Sequence, residues 1–315
     1  MSPKSWILGA TLATAMALPI SPASAAGETV VVNLYSLSNP FFNFMRQEVL
    51  DEAKKLDIKV IIQDAQASTP KQASDLENAL TQGVDAIALT PTDVSAIAPA
   101  VDEVIEDDVP VVAVDRRVEG TSKPVPYVTA DNIAGGRLQG EWVTKNMPQG
   151  ARVALITGQI GSTTHIDRAK GIHEALKTGG DKYKVVAEQS AQSDRAKALS
   201  VVQNIVTANP DTPPDVFIAT DGDMALGAAE AIRGLGLSGK TKVVAFDAYP
   251  DVLKAIKAGE LVGVVEQNGS KQIRTAVQML MGKIRNDTEV KTVIIDPVMI
   301  TAQNLEQAER YSEVK

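Results

Sequence analysis

Four polar residues of this chain end short apolar runs that occur in two similar copies. Thr90 and Asp115 end the runs of the first copy, and Asp221 and Asp247 end those of the second. The copies are similar in length, because Asp115 lies 30 residues after Asp85 and Asp247 lies 32 residues after Asp215. The runs resemble buried parallel strands. Ligands of open α/β sheets bind at the carboxyl ends of strands, so we expect these side chains to face one another across a cleft and to hydrogen-bond a polar ligand.

The turn after the first apolar run combines an amide with two aromatic rings. Asn39 offers a donor and an acceptor beside Phe41 and Phe42, and the turn lacks the glycines of a dinucleotide-binding loop. This combination suits a sugar, because its C–H face packs on a ring while its hydroxyls need bidentate partners. The alternative interpretation places either phenylalanine in the core of the first helix.

Two arginines lie beside aspartates next to predicted strand ends. Arg116 follows Asp115 directly, and Arg168 lies in Ile166-Asp-Arg168 at the start of a predicted helix. Buried charges are costly unless they are paired or bind a ligand, and Asp and Arg together accept and donate hydrogen bonds with fixed geometry. Each pair alone is compatible with a surface ion pair, but their recurrence at strand ends favours ligand contacts.

Other motifs point away from catalysis. Residues 234–241 match the phosphate-loop pattern but follow a predicted helix and precede a strand, so we interpret them as a glycine-rich helix end. The histidines, His165 and His173, have no cysteine beside them to complete a zinc site, and no G-x-S-x-G elbow occurs. Sequence spacing leaves a glycosidase carboxylate pair open. We therefore assign no catalytic residue, metal or cofactor.

The order of elements predicts an α/β fold with parallel sheets. From Thr29 onward, strand-like runs alternate with helical patterns, and a helix is expected to start at Val94. A first series of strands ends at Val114 and a second series begins near Asp131. The boundary between two lobes is predicted near Ala130, with short crossings that can act as a hinge.

Composition indicates an exported globular protein. The 315 residues, of which 44% are hydrophobic, suffice for two cores, and the formal net charge is −8. Residues 1–25 have the pattern of a signal peptide cleaved near Ala25, and their apolar run is too short for a membrane span. The chain has no cysteine to form a disulfide or carry a lipid, which favours a freely diffusing periplasmic protein. The acidic balance argues against nucleic acid as a partner.

Several short motifs occur in the order of one known family. They are Asn39-Pro-Phe-Phe42, Gln82-Gly-Val-Asp-Ala-Ile87, Pro91-Thr-Asp93, Val114-Asp-Arg116, Ala130-Asp-Asn132, Ile166-Asp-Arg-Ala-Lys-Gly171, Asp223-Met-Ala-Leu-Gly227, Phe246-Asp247 and Gln267. From about Thr29 to its C-terminus the chain resembles the periplasmic sugar-binding proteins of ABC importers, in the group that includes the ribose-binding protein. The family shares its fold with the effector domains of LacI-type repressors, but here the predicted signal peptide stands in place of their DNA-binding headpiece.

The resemblance implies two Rossmann-like lobes joined by three crossings, the type I periplasmic binding fold, which closes on a ligand in the cleft. The first lobe would comprise residues 27–130 and about 268–295, and the second residues 131–267 and about 296–315. By position in the family pattern, the first lobe would contact the ligand through Asn39, Phe41, Phe42, Thr90, Asp115 and Arg116. The second lobe and the hinge would contribute Arg168, Ser193, Asp221, Phe246, Asp247 and Gln267.

Three departures from the ribose-binding pattern concern the ligand. Thr90 and Asp221 stand where Asn is usual, and Ser193 replaces a Phe that would cover the second face of the sugar ring. An ionised Asp221 only accepts hydrogen bonds. We therefore expect another pentose, a hexose or furanose form, or a polyol without a flat apolar face, rather than ribose itself.

The resemblance also implies a role and partners. A monomeric, non-enzymatic receptor would deliver its ligand to an ABC permease in the inner membrane without inserting into the membrane itself. Binding would bias a hinge equilibrium toward the closed form that the permease recognises. Three alternatives stay open: a ligand subunit of a chemoreceptor or sensor kinase, an exported sugar-active enzyme, and a receptor for a furanosyl quorum signal.

Overall fold

The computed structural model describes residues 27–315, and within them the chain forms two six-stranded sheets. The first sheet contains β1 (Thr29–Leu34), β2 (Lys59–Asp64), β3 (Ala86–Leu89), β4 (Val111–Val114), β5 (Tyr127–Ala130) and β11 (Val293–Ile295). The second contains β6 (Ala151–Thr157), β7 (Tyr183–Ser190), β8 (Val216–Ala219), β9 (Lys242–Phe246), β10 (Gly263–Glu266) and β12 (Val298–Ile300).

The two sheets follow the same path. The strand order is β2-β1-β3-β4-β5-β11 in the first sheet and β7-β6-β8-β9-β10-β12 in the second. All pairs are parallel except the antiparallel pair of β10 with β12. In each sheet the order reverses beside the first strand, and such a switch point opens a crevice at the carboxyl ends of the strands. The predicted α/β fold with parallel sheets in two Rossmann-like lobes is confirmed.

Nine α-helices cover both faces of the sheets within the described residues. Those on the first sheet are α1 (Pro40–Leu56), α2 (Thr69–Thr81), α3 (Ala98–Glu106) and α9 (Gly269–Asn286). Those on the second are α4 (Asn132–Asn146), α5 (Thr163–Thr178), α6 (Arg195–Thr207), α7 (Gly222–Gly234) and α8 (Pro250–Lys257). We call the first sheet with its helices the first lobe, and the second sheet with its helices the second lobe.

Alternation along the strands separates two core layers in the first lobe. Val30 and Val32 of β1 pack with α1 and α9, whereas Val31 between them packs with α2 and α3. Successive side chains of a strand point to opposite faces, so an uninterrupted apolar run is what a sheet covered on both faces requires. In the second lobe α4 and α5 cover one face and α6, α7 and α8 the other.

The chain crosses between the sheets three times within the described residues. It leaves the first sheet after Ala130, returns after Glu266, and crosses again after Ile295. The expectation of three crossings is confirmed, whereas the lobe boundaries given above for the family pattern stay a prediction. No helix in this part of the chain is both long and apolar enough to cross a bilayer.

Some elements differ from the sequence expectations. The helix α3 begins at Ala98 rather than at Val94, because the Asp93 carboxylate accepts hydrogen bonds from the backbone N–H groups of Ser95 and Ala96, at 3.0 and 2.9 Å. This local turn competes with helix formation. The strand β5, the helix α8 and the strand β12 are absent from the predicted series, and all three are short.

The contact between α4 and α5 leads to a test of packing. A Cβ on Gly136 would lie 2.0 Å from the backbone oxygen of Arg168, so the two helices approach as closely as they do only because this position lacks a side chain. Overpacking of this kind typically costs about 1–3 kcal/mol. We expect Gly136→Ala to lower the unfolding free energy by at least that amount in a denaturant titration. Gly234→Ala, at a helix end with open space around it, is the control and should change little. Equal effects of the two substitutions would contradict the packing argument.

Candidate functional site

A cavity of about 330 Å³ lies between the lobes, where the carboxyl ends of both sheets meet. Its lining residues are Tyr35, Asn39, Phe41, Phe42, Asp115, Arg116, Thr164, His165, Arg168, Ser193, Asp221, Asp247 and Gln267. Ten of the twelve residues expected from the sequence are therefore brought together, and Thr90 and Phe246 are the two that do not line the cavity.

Aromatic rings form the wall that the first lobe contributes. The ring centroids of Tyr35 and Phe42 lie 5.5 Å apart, and those of Phe41 and Phe42 lie 5.2 Å apart in an edge-on arrangement. Phe42 is almost fully buried and also packs in the core of this lobe, so the two interpretations of it are compatible. Asn39 caps α1 by accepting a hydrogen bond from the backbone N–H of Phe41, which fixes the start of the helix beside the cavity.

Asp115 and Asp247 occupy equivalent positions in the two lobes. Each directly follows a central strand and has a left-handed backbone, with φ of 65° and 69°. Their backbone N–H groups donate to the carbonyls of Val128 and Val265, both at 2.9 Å, and so continue the sheet for one more residue. Left-handed backbone is uncommon for residues other than glycine, although Asp tolerates it better than most. The repeated geometry places a carboxylate from each lobe in the cavity.

One arginine from each lobe lines the cavity. The Arg168 guanidinium donates to Asn132 Oδ1 at 2.8 Å and to the Thr220 carbonyl at 2.7 Å, and it stacks 3.6 Å from the centroid of Phe246. Arg116 stacks 4.1 Å from the centroid of Tyr35. Both guanidinium groups are thus held against aromatic rings by the protein itself.

Burial dominates the electrostatics of the carboxyl groups. It raises the pKa of Asp247 to about 7, against the opposing effect of the nearby Arg168 and with a further rise from Asp221 and Asp115. Burial likewise raises the pKa of Asp221 to about 6, although its Oδ1 accepts a hydrogen bond from the Met224 backbone N–H at 2.9 Å. Three carboxyl groups share the cavity with two guanidinium groups, so the site offers a ligand both hydrogen-bond acceptors and donors.

Two residues of the expected set do not line the cavity. Phe246 points away from the cavity, toward α4, where a Cβ on Gly135 would lie 2.7 Å from its ring, and it therefore supports Arg168 from behind. This follows from strand alternation, since Val244, two residues earlier in β9, lies on the same face of the sheet, in the core under α4 and α5. Thr90 is fully buried at the end of β3, and its hydroxyl has no hydrogen-bond partner among the described residues.

Three lining residues were not expected from the sequence: Tyr35, Thr164 and His165. His165 lies three positions before Arg168 on α5, a spacing that places two side chains on the same face of a helix. The spacing in the sequence could therefore have indicated that His165 lies on the same side of the helix as Arg168. Within residues 27–315, no group of three His, Asp or Glu side chains is arranged to hold a metal ion.

Comparisons with known proteins agree with the fold and the cavity described above. The pattern of the periplasmic binding protein domain matches residues 30–288. The chain belongs to this family. The ribose import binding protein RbsB of Bacillus subtilis is 36% identical over 279 residues, which cover 87% of each chain. The resemblance to the ribose-binding group is therefore confirmed, and the signal peptide expected at residues 1–25 lies outside the described residues.

Solved structures of periplasmic binding proteins also match this fold. The Caulobacter myo-inositol binding protein, solved with myo-inositol bound, is 48% identical with a TM-score of 0.90, and the match covers 92% of this chain and 98% of that one. A periplasmic solute-binding protein of Actinobacillus succinogenes with bound D-allose is 29% identical with a TM-score of 0.82, over 88% and 98% of the two chains. The type I periplasmic binding fold is confirmed.

The buried carboxyl groups of this periplasmic binding protein predict a dependence of stability on pH. A carboxyl group with a raised pKa binds a proton more tightly in the folded state than in the unfolded chain. The contribution of Asp247 to stability therefore falls as the pH rises from about 4 to about 7. Asp247→Asn does not ionise, so without ligand it should melt above the wild type at pH 8, and this margin should shrink at pH 5. Thermal unfolding at both values tests this, with the exposed Asp211→Asn as control. An equal margin at both values would contradict the argument.

Proposed function

We propose that this protein is the substrate-binding protein of an ABC importer and that it binds a cyclic polyol, with myo-inositol as the specific candidate. The observation that carries the proposal is the asymmetry of the cavity. The phenyl and phenol rings among the lining residues, those of Tyr35, Phe41 and Phe42, come from the first lobe, and the second lobe lines its side with hydrogen-bonding groups.

The chemistry of a cyclic polyol fits this asymmetry. Such a ring carries a hydroxyl on every carbon and no ring oxygen, so it presents hydrogen-bonding groups around its whole perimeter. The polar lining residues that could meet them are Asn39, Asp115, Arg116, Thr164, Arg168, Ser193, Asp221, Asp247 and Gln267. No Phe, Tyr or Trp of the second lobe is among the described lining residues, and Ser193 occupies the position where the ribose-binding pattern has a Phe.

The relatives support the same choice. The Caulobacter protein solved with myo-inositol shares 48% identity with this chain, whereas the Bacillus subtilis protein named for ribose shares 36%. The departures at Ser193 and Asp221 from the ribose-binding pattern are consistent with this difference. D-allose, bound by the more distant Actinobacillus protein, is the hexose to compare.

Contacts between the lobes support ligand-dependent closure. Arg117 of the first lobe pairs with Asp167 of the second, with 2.7 Å between Nη1 and Oδ2, and Arg116 donates to Gln159 Oε1 at 3.3 Å. A ligand that touches both lobes favours the arrangement in which these contacts exist. We propose that the closed form docks as a monomer on a permease in the inner membrane, after removal of a signal peptide near Ala25, and that the ligand leaves chemically unchanged.

Binding measurements test the proposed ligand. The protein is unfolded and refolded to remove any bound ligand, and thermal unfolding is followed with myo-inositol, D-ribose or D-allose. A ligand at about 100 times its dissociation constant stabilises the folded state by about 2.7 kcal/mol, and we expect myo-inositol to do so at the lowest concentration. Arg168→Met should abolish the shift, whereas Arg137→Met, on the exposed face of α4, should preserve it.

Each other outcome has a defined meaning. Tighter binding of D-ribose or D-allose would overturn the choice of a cyclic polyol. A shift with none of the three compounds would overturn the proposed ligand class. Recovery of a chemically altered ligand after incubation would favour the exported enzyme instead.

A further inference from the structure

His165 is held in a niche that a single glycine creates. A Cβ on Gly158 would lie 2.2 Å from the imidazole ring, so any other residue there would displace the ring. The ring is buried, with 5% of the residue exposed. Gly158 follows β6 and His165 lies in the first turn of α5, so the niche is built entirely within the second lobe.

Both nitrogens of the ring have partners in that lobe. Nδ1 lies 2.9 Å from Thr220 Oγ1, and Nε2 lies 3.1 Å from Ser193 Oγ. Thr220 follows β8, and Ser193 follows β7 with a left-handed backbone, φ 57°. Because none of these contacts involves the first lobe, the arrangement does not depend on closure of the cleft.

The hydrogen bonds of this group have a preferred direction. Burial, together with Arg168 and Arg116, lowers the pKa of His165 well below its usual value, so the ring is neutral and has one donor and one acceptor nitrogen. Thr220 Oγ1 accepts from the Gly158 N–H at 3.1 Å and has its own hydrogen to donate. The contact to Nδ1 at 2.9 Å is shorter than the one to the Ile156 carbonyl at 3.4 Å. We therefore assign Nδ1 as the acceptor and Nε2 as the donor to Ser193.

This direction leaves the hydrogen of the Ser193 hydroxyl available to the cavity. The Ser193 hydroxyl faces Asp221, and its action as a hydrogen-bond donor to that carboxyl group opposes the rise in the pKa of Asp221. Asp221 Oδ1 is used by the Met224 N–H, while its buried Oδ2 has no hydrogen-bond partner among the described residues. The donor, the Ser193 hydroxyl, and the acceptor, Asp221 Oδ2, therefore face each other, so a ligand hydroxyl placed between them can accept from the first and donate to the second.

We propose that His165 is a positioning residue for ligand specificity, because it fixes Ser193 as a donor that acts with Asp221 on a single ligand hydroxyl. That hydroxyl must accept a hydrogen bond from Ser193 and donate one to Oδ2. A ring oxygen or a methoxy group there would only accept, and a methylene group would do neither. The site thereby selects a carbocyclic polyol over a pyranose or furanose whose ring oxygen falls at this point. The inference rests on the proposed function.

The tautomer of His165 is measurable without any ligand. The chain has two histidines, and His173 is exposed and contacts Glu188 Oε2 at 2.8 Å, so a His173→Gln variant assigns the signals. We expect nitrogen-detected NMR of the refolded protein at pH 7 to show His165 neutral with its proton on Nε2. A proton on Nδ1, or a charged ring, would overturn the inference.

Two substitutions separate positioning from packing. The side-chain amide of Asn can take the place of Nδ1 and that of Gln the place of Nε2, so His165→Gln keeps the donor to Ser193 whereas His165→Asn keeps only the contact to Thr220. We expect His165→Asn to weaken myo-inositol binding about tenfold, and His165→Gln to weaken it no more than about threefold. His173→Asn and His173→Gln are the matched controls and should leave binding unchanged.

A set of monodeoxy-inositols provides the readout of specificity. Wild type should bind one of them much more weakly than myo-inositol, and His165→Asn should largely lose that discrimination while His165→Gln retains it. Equal losses in both variants, with the ratio between ligands unchanged, would show a purely structural role and overturn the inference. If wild type binds no cyclic polyol at all, the proposed function fails, and the NMR result still decides whether His165 fixes Ser193 as a donor.

Discussion

The burial of ionisable groups between the lobes is the constraint on which the rest of the structure depends. Asp115, Asp221 and Asp247 share one cavity with Arg116 and Arg168, and all five are at least 93% buried. Such groups need hydrogen-bond partners, yet Arg116 Nε and Asp221 Oδ2 have none among the described residues. Water can supply them when the cleft is open, and a hydroxyl-rich ligand can supply them when it is closed. Closure is therefore favourable chiefly when the ligand is present.

The duplicated fold explains how these groups come together, and its asymmetry explains selectivity. Both sheets have the same strand order, and each places an aspartate with left-handed backbone at the end of a central strand, Asp115 in one lobe and Asp247 in the other. The lobes differ in what surrounds that aspartate, because the first lobe adds Tyr35 and Phe42 and the second adds Ser193. The wall of the first lobe can thus pack against C–H groups of the ligand, and the wall of the second lobe can hydrogen-bond its hydroxyls.

Much of this arrangement could be predicted from the sequence, because the polar residues directly follow apolar runs. In a fold of this kind the carboxyl ends of the parallel strands all lie at the same edge of the sheet, where the ligand binds. The sequence did not show in which direction a side chain points, as for Phe246, which alternation along β9 turns toward α4. Nor did it show contacts between partners that lie far apart in the chain. The environment of His165 is made by Gly158, Ser193 and Thr220, which follow three different strands and come together only in the folded lobe.

Selection of the ligand and closure of the cleft depend on different contacts. The hydrogen bonds from Thr220 through His165 to Ser193 lie within the second lobe, so they exist in the open and the closed arrangement alike. The pair of Arg117 with Asp167 joins the two lobes and requires the closed arrangement. The first set acts on the intrinsic affinity for one ligand over another, whereas the second acts equally for every ligand by changing the population of closed protein. Changes in one can therefore alter specificity without altering the hinge.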